Sequence, residues 1–100
     1  MIRRVVMWNV AGATDHERAT ARASVKTAFE SLRGRIPGMT HLEVGTDLGA
    51  ADRACDLILV AEFESREALD GYATHPEHAR VYDALTGLRT ARHQVDYATE

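Results

Sequence analysis

The sequence predicts an α+β fold in which a four-stranded antiparallel sheet carries its helices on one face, in the order β-α-β-β-α-β. Three observations lead there. Val5-Val6-Met7-Trp8 and Leu57-Ile58-Leu59-Val60-Ala61 are apolar without a break, as strands covered on both faces are. Two other stretches carry apolar residues at helical spacing. Glycine and proline fall between these segments, where a chain must turn.

The first strand runs from Ile2 to Val10, and Gly12 marks the turn after it. Thr14 and Glu17 form a capping box, in which hydroxyl and carboxylate each take a free amide at a helix start. The helix predicted from Thr14 to Arg33 has Ala21, Val25, Ala28, Phe29 and Leu32 on one stripe and Arg18, Arg22, Lys26, Glu30 and Arg33 on the other side. Gly34 suits its end, since only glycine enters the left-handed conformation without strain. Ile36-Pro37-Gly38 makes a tight connection. Met39 to Asp47 alternates Leu42 and Val44 with His41, Glu43 and Gly45, the pattern of an edge strand. Leu48 to Arg53 is a small polar loop joining a hairpin, and Ala54 to Phe63 is the third strand. Ser65 caps the next helix, and Glu67 lies in its first turn, where the helix dipole favours negative charge. Ala68, Leu69, Tyr72 and Ala73 give its buried side. Pro76 ends that helix near Thr74-His75 and can open another, with Val81, Tyr82, Leu85 and Leu88 as its stripe. Arg92 to Tyr97 is the last strand, with His93, Val95 and Tyr97 alternating against Gln94 and Asp96.

This order is the split-βαβ, ferredoxin-like arrangement, whose middle strands are the first and the third. Those are the two strands that read as apolar on both faces. Helices cover one face, so the other exposes Val5 and Met7 or Val6 and Trp8, with half of Leu57 to Ala61. A second copy set sheet to sheet would bury that patch, which predicts a homodimer with a barrel-like interior.

Length and composition fit one domain over residues 1–100, since 45% of residues are hydrophobic and 27% charged. A net charge of −3 with no clustered basic face argues against a nucleic-acid partner. No apolar run is long enough to span a bilayer, and the start lacks a signal-peptide pattern, so no membrane partner is expected and the cytoplasm is the expected location. Cys55 is the single cysteine, which excludes an intrachain disulfide and suits a structural thiol.

The order of several motifs is similar to that of a known family. Ile2-Arg3-Arg4-Val5-Val6, Ile36-Pro37-Gly38, Leu42-Glu43-Val44-Gly45, Glu62-Phe63-Glu64-Ser65, His75-Pro76-Glu77-His78 and Val95-Asp96-Tyr97 resemble, nearly end to end, the stress-responsive dimeric α+β barrel (Dabb) family. The resemblance implies a ferredoxin-like dimer. Most members have no assigned reaction, some are plant stress proteins, and one branch is a polyketide cyclase. In that branch the second histidine of His-Pro-x-His acts as a base helped by the preceding tyrosine, which implies catalytic roles for His78 and Tyr72. The cyclase also uses histidines on the first strand and near the start of the third, where this sequence has Arg4 or Val5 and Asp56 or Leu57. Thr27 stands near its helix-one tyrosine. The cyclase substrate therefore does not carry over.

The residues themselves allow the same assignment. An imidazole titrates close to neutrality and can take a proton beside a carbonyl. A phenol can stabilise the developing oxyanion. The alternative is that Tyr72 and His78 only pack, while His75 and Pro76 cap and restart a helix. His75 and His78 are too few for a dedicated metal site, and His41 and His93 would have to arrive from strands, so neither a metal nor another cofactor is expected. Cofactor-free acid–base chemistry on a small hydrophobic or aromatic ligand, bound between sheet and helices, is the first functional expectation. A non-catalytic stress-response or structural dimer and a cofactor-free monooxygenase are the alternatives.

Overall fold

A computed structural model describes residues 1–49 and 54–99. The elements are β1 (Ile2–Val10), α1 (Asp15–Glu30), β2 (Met39–Thr46), β3 (Leu57–Phe63), α2 (Arg66–Thr74), α3 (Pro76–Ala84) and β4 (Arg89–Ala98). Much of this follows from local chemistry. Thr14 Oγ1 accepts the Glu17 amide at 3.1 Å, and Glu17 Oε2 accepts the Ala13 amide at 2.7 Å. Ser65 Oγ accepts the Ala68 amide at 3.1 Å and opens α2 in the same way. At its far end α1 stops at Glu30 rather than Arg33. The amides of Leu32 and Arg33 bond back to Phe29 and Glu30, three residues away, so the last turn tightens before Gly34 (φ +78°) reverses the chain.

The strands form one sheet in the order β2-β3-β1-β4, every neighbouring pair antiparallel. The two unbroken apolar runs are its middle strands, and the fold is ferredoxin-like. β3 begins at Leu57 rather than Ala54, because Asp56 turns its carboxylate onto the Val10 amide at 2.9 Å. β4 is longer than its alternating stretch, since pairing with β1 extends from Arg89 opposite Val10 to Ala98 opposite Ile2. The predicted hairpin loop falls partly at 50–53, outside the described residues.

Register decides which side chains meet the helices. Val6, Trp8, Leu59 and Phe63 lie on the helix side with Leu42 and Val44 from β2, and Val25, Phe29, Leu32 and Val81 close over them. Trp8 stacks on Phe29 with centroids 4.7 Å apart. Gly38 brings the start of β2 against α2: its φ is +79°, and a Cβ there would lie 2.5 Å from the Ala68 Cβ.

Among the described residues no helix covers the opposite face. Val5 sits between Val60 and Val95, and Met7 between Ile58 and His93. Val95 is 58% exposed and Met7 38%. At one end of this face Arg3 Nε donates to Glu62 Oε1 at 2.9 Å and Nη1 donates to the Tyr97 hydroxyl at 2.9 Å. The apolar face expected from strand pattern is thus present and uncovered in the single chain.

Candidate functional site

Pro76 builds the site by breaking a helix. The residue before a proline avoids the helical region, and His75 adopts φ −69°, ψ 139°. Its Nδ1 then accepts the Glu77 amide at 3.1 Å and caps α3, with Pro76 in the first turn. The break leaves Tyr72 in the last turn of α2 and His78 in the first turn of α3, both turned toward the sheet. Their rings meet with centroids 4.5 Å apart. Tyr82, one turn further along α3, places its ring centroid 4.4 Å from the other side of His78. Sequence spacing alone could not establish this convergence across the break.

Beneath these rings lies a cavity lined by Arg4, Trp8, Phe29, Tyr72, His78, Tyr82 and Arg92. Its free volume of about 10 Å³ is room for roughly one water molecule. Two wider clefts flank it. One, about 360 Å³, reaches from Arg4 and Asp96 to Leu69 and Asp70; the other, about 310 Å³, lies between α3 and β4 and shares Trp8, Tyr82 and Arg92 with the cavity.

The electrostatics suit a neutral base beside a protonated phenol. Among the described residues neither ring nitrogen of His78 takes part in a hydrogen bond. Burial lowers the His78 pKa below its ordinary value, and the positive charges of Arg4, Arg89 and Arg92 lower it further. Burial pushes the Tyr72 phenol up to about 12, with Tyr82 adding to the effect, so the hydroxyl keeps its proton at neutral pH. Arg4 forms a two-pronged pair with Asp96, Nε to Oδ1 at 2.8 Å and Nη2 to Oδ2 at 3.0 Å, and its guanidinium carbon lies 5.9 Å from the Tyr72 ring centroid. That pairing holds the Asp96 carboxyl below the usual carboxylate range.

The other titratable candidates lie elsewhere. His75 is occupied as a cap. His41 and His16 are exposed, and His93 lies on the open sheet face. Among the described residues no group of three or more His, Cys, Asp or Glu is placed to hold a metal ion. Glu77 turns to Arg35 (2.8 Å) and Arg80 (2.9 Å), which lower its pKa. Cys55 is half-buried and free.

The match to the family model of the Stress Responsive A/B Barrel Domain, Dabb, extends over residues 2–99. The chain belongs to the Dabb family. Several solved structures share its fold. A Bacteroides fragilis protein, described as a dimeric protein of unknown function with a ferredoxin-like fold, is 26% identical with a TM-score of 0.85, over 98% of this chain and 95% of its own. A dimeric ferredoxin-like protein of unknown function from Thermobifida fusca is 24% identical with a TM-score of 0.80, over 98% and 90%. A hydroxynitrile lyase from Passiflora edulis is 14% identical with a TM-score of 0.79, over 99% and 93%. No curated protein matches the chain. No helix in the described residues is long and apolar enough to cross a membrane.

In this Dabb protein the positions that hold histidines in the cyclase branch have different work. Arg4, not Val5, faces the cavity, because Val5 lies on the open face. Asp56 ties the end of β1, and Arg22 Nη1 approaches its Oδ1 at 3.4 Å; Leu57 is buried in the core. Thr27 is exposed on α1. The arginines were the part of the site that sequence reading missed. Their signal was the inward set of β4: with His93, Val95 and Tyr97 on one face, Arg92 and Asp96 must share the other with Trp8 and Arg4.

Proposed function

We propose that this Dabb protein acts as a homodimer through its open sheet face and carries out cofactor-free proton transfer next to a carbonyl, on a small hydrophobic or aromatic molecule. His78 is the base and Tyr72 the hydrogen-bond donor to the oxygen that gains charge. The observation that carries this reading is the His78 imidazole: unbonded, kept neutral and held between two tyrosine rings at a cavity. A base of this kind takes the proton from the carbon beside the carbonyl. Charge then moves to the oxygen, where a phenol that remains protonated can donate to it. The hydroxynitrile lyase of the same fold supports lyase-type chemistry as the first class to try. The homodimer is supported by the Val5, Val60 and Val95 patch and by the dimeric relatives.

The size of the cavity favours a second reading, a dimer whose apolar interior serves stability only. One experiment separates the two. Deuterium uptake beside the carbonyl of aryl ketones, and release of aldehyde and cyanide from aromatic hydroxynitriles, in which the same base takes the hydroxyl proton as the bond to cyanide breaks, are followed for the native protein and for His78→Ala. Activity in the native protein, lost in a variant of unchanged mass and melting temperature, supports catalysis. No activity on the panel, or equal activity in the variant, overturns it.

A further inference from the structure

Two cations at this site have no carboxylate partner among the described residues. Arg4 is neutralised by Asp96. Arg89 and Arg92, among the described residues, have no carboxylate within salt-bridge distance. Arg92 donates only to the neutral side chain of Gln94. Arg89 is half-buried and lies against aromatic rings, its guanidinium carbon 4.5 Å from the centroid of Tyr82, 5.6 Å from Trp8 and 5.7 Å from Phe29. A stacked guanidinium keeps its N–H edges available, and that planar fork matches a carboxylate. Trp8, which also lines the cleft, is 2% exposed, and its buried Nε1–H has no hydrogen-bond partner among the described residues.

We infer that the cleft between α3 and β4 is an anion subsite, which holds the carboxylate of a small aromatic acid against Arg89 and Arg92. Its volume of about 310 Å³ is at the lower end of small-molecule sites, and Trp8, Tyr82 and Leu85 give it apolar walls for a flat ring. A neutral ligand would strip water from two guanidinium groups and return nothing for their charge; a carboxylate restores both the charge and the hydrogen bonds. Because the cleft shares Trp8, Tyr82 and Arg92 with the His78 cavity, a ligand anchored by its carboxylate points its remaining substituents at the imidazole. Only this last step rests on His78 as the reacting group; the anion subsite itself does not.

Benzoate, with benzamide as its neutral isostere and inorganic phosphate as a ringless anion, tests the assignment by calorimetry and by NMR of the histidine rings. Benzoate binds the native protein at least about tenfold more tightly than benzamide or phosphate, and its binding weakens as salt rises. The charge it brings raises the titration midpoint of His78. An Arg89→Gln, Arg92→Gln double variant loses the preference for benzoate, and Arg92→Lys keeps part of it. Benzoate selectivity in a native protein that shows no turnover on the hydroxynitrile and ketone panel leaves the subsite standing, so failure of the catalytic reading and failure of this one are told apart. Equal binding of benzoate and benzamide, displacement of benzoate by equimolar phosphate, or an unchanged preference in a folded double variant overturns the inference. If the double variant does not fold, the native protein's ratio of benzoate to benzamide decides alone.

Discussion

The Tyr72 and His78 rings meet edge to face, their planes at 76° and their centroids 4.5 Å apart, across a helix break. The contact is good aromatic packing as well as the pair proposed for catalysis, and substitution separates the two roles. Tyr72→Phe keeps the ring, and the hydroxyl makes no hydrogen bond among the described residues. Its unfolding free energy in urea should change by less than about 1 kcal/mol. Turnover on any substrate found should fall about 100-fold, the scale of losing one donor to a developing oxyanion. A variant of native activity would assign Tyr72 to packing alone.

His78 sets a pH signature. Its pKa in the folded chain lies below the ordinary 6.5, through burial first and then Arg4, Arg89 and Arg92. As pH falls below 6.5 the unfolded chain takes up a proton that the folded chain still refuses. Stability therefore declines through the window between the ordinary and the folded value, and its His78-dependent slope vanishes above and below that window. Urea titrations from pH 7.5 to 4.5 should show this slope in the native protein and not in His78→Asn. Activity, if it needs the neutral imidazole, should hold down to pH values under 6.5. Arg92→Gln should move that acid limb upward.

His75 is a cap and not a base. His75→Ala should remove the bond from the Glu77 amide and lower stability by about 1 kcal/mol, whereas His75→Asn restores a capping oxygen and most of the loss. Thermal melts of the two variants provide the check. Activity that follows stability in both supports the structural role.

Two glycines with similar backbone angles should respond differently. Gly34 and Gly38 have φ +78° and +79°, but a Cβ at Gly34 meets nothing within 4 Å, while one at Gly38 would meet the Ala68 Cβ at 2.5 Å. Gly34→Ala should cost about 1 kcal/mol from backbone strain. Gly38→Ala adds a clash between β2 and α2 and should cost about 2–5 kcal/mol in the same denaturation assay.

The open face gives the assembly test. Val5, Val60 and Val95 lie side by side, and Val95 is 58% exposed. Val95→Asp places a charge in that patch and should convert the dimer mass in light scattering to that of one chain, with circular dichroism unchanged. A native protein of single-chain mass at micromolar concentration would overturn the dimer proposal.

Much of the fold was legible because its signals are local or periodic. Thr14-Glu17, Ser65 and Pro76 act within a turn of chain, and the unbroken runs around Trp8 and Leu59 mark the middle strands of the sheet. The end of α1 was not legible, because the tightened turn at Leu32 and Arg33 has no strong sequence mark. In the site, Tyr72 and His78 were visible as residue types at a helix junction, and their convergence was not. Arg89 and Arg92 were harder still. Their importance comes from β4 lying opposite Trp8 and Arg4, a long-range pairing that no spacing within one segment encodes.

The Arg4–Asp96 pair can also be regarded as a partition. Arg4 lines both the small cavity and the 360 Å³ cleft, while Arg92 and Tyr82 line both the cavity and the 310 Å³ cleft. Three rooms lie in a row, and the doors between them are side chains. Shortening one arginine would lengthen the space available to a ligand while β1 and β4 remain paired, so the size of molecule such a frame accommodates can be reset by single substitutions that leave the sheet intact.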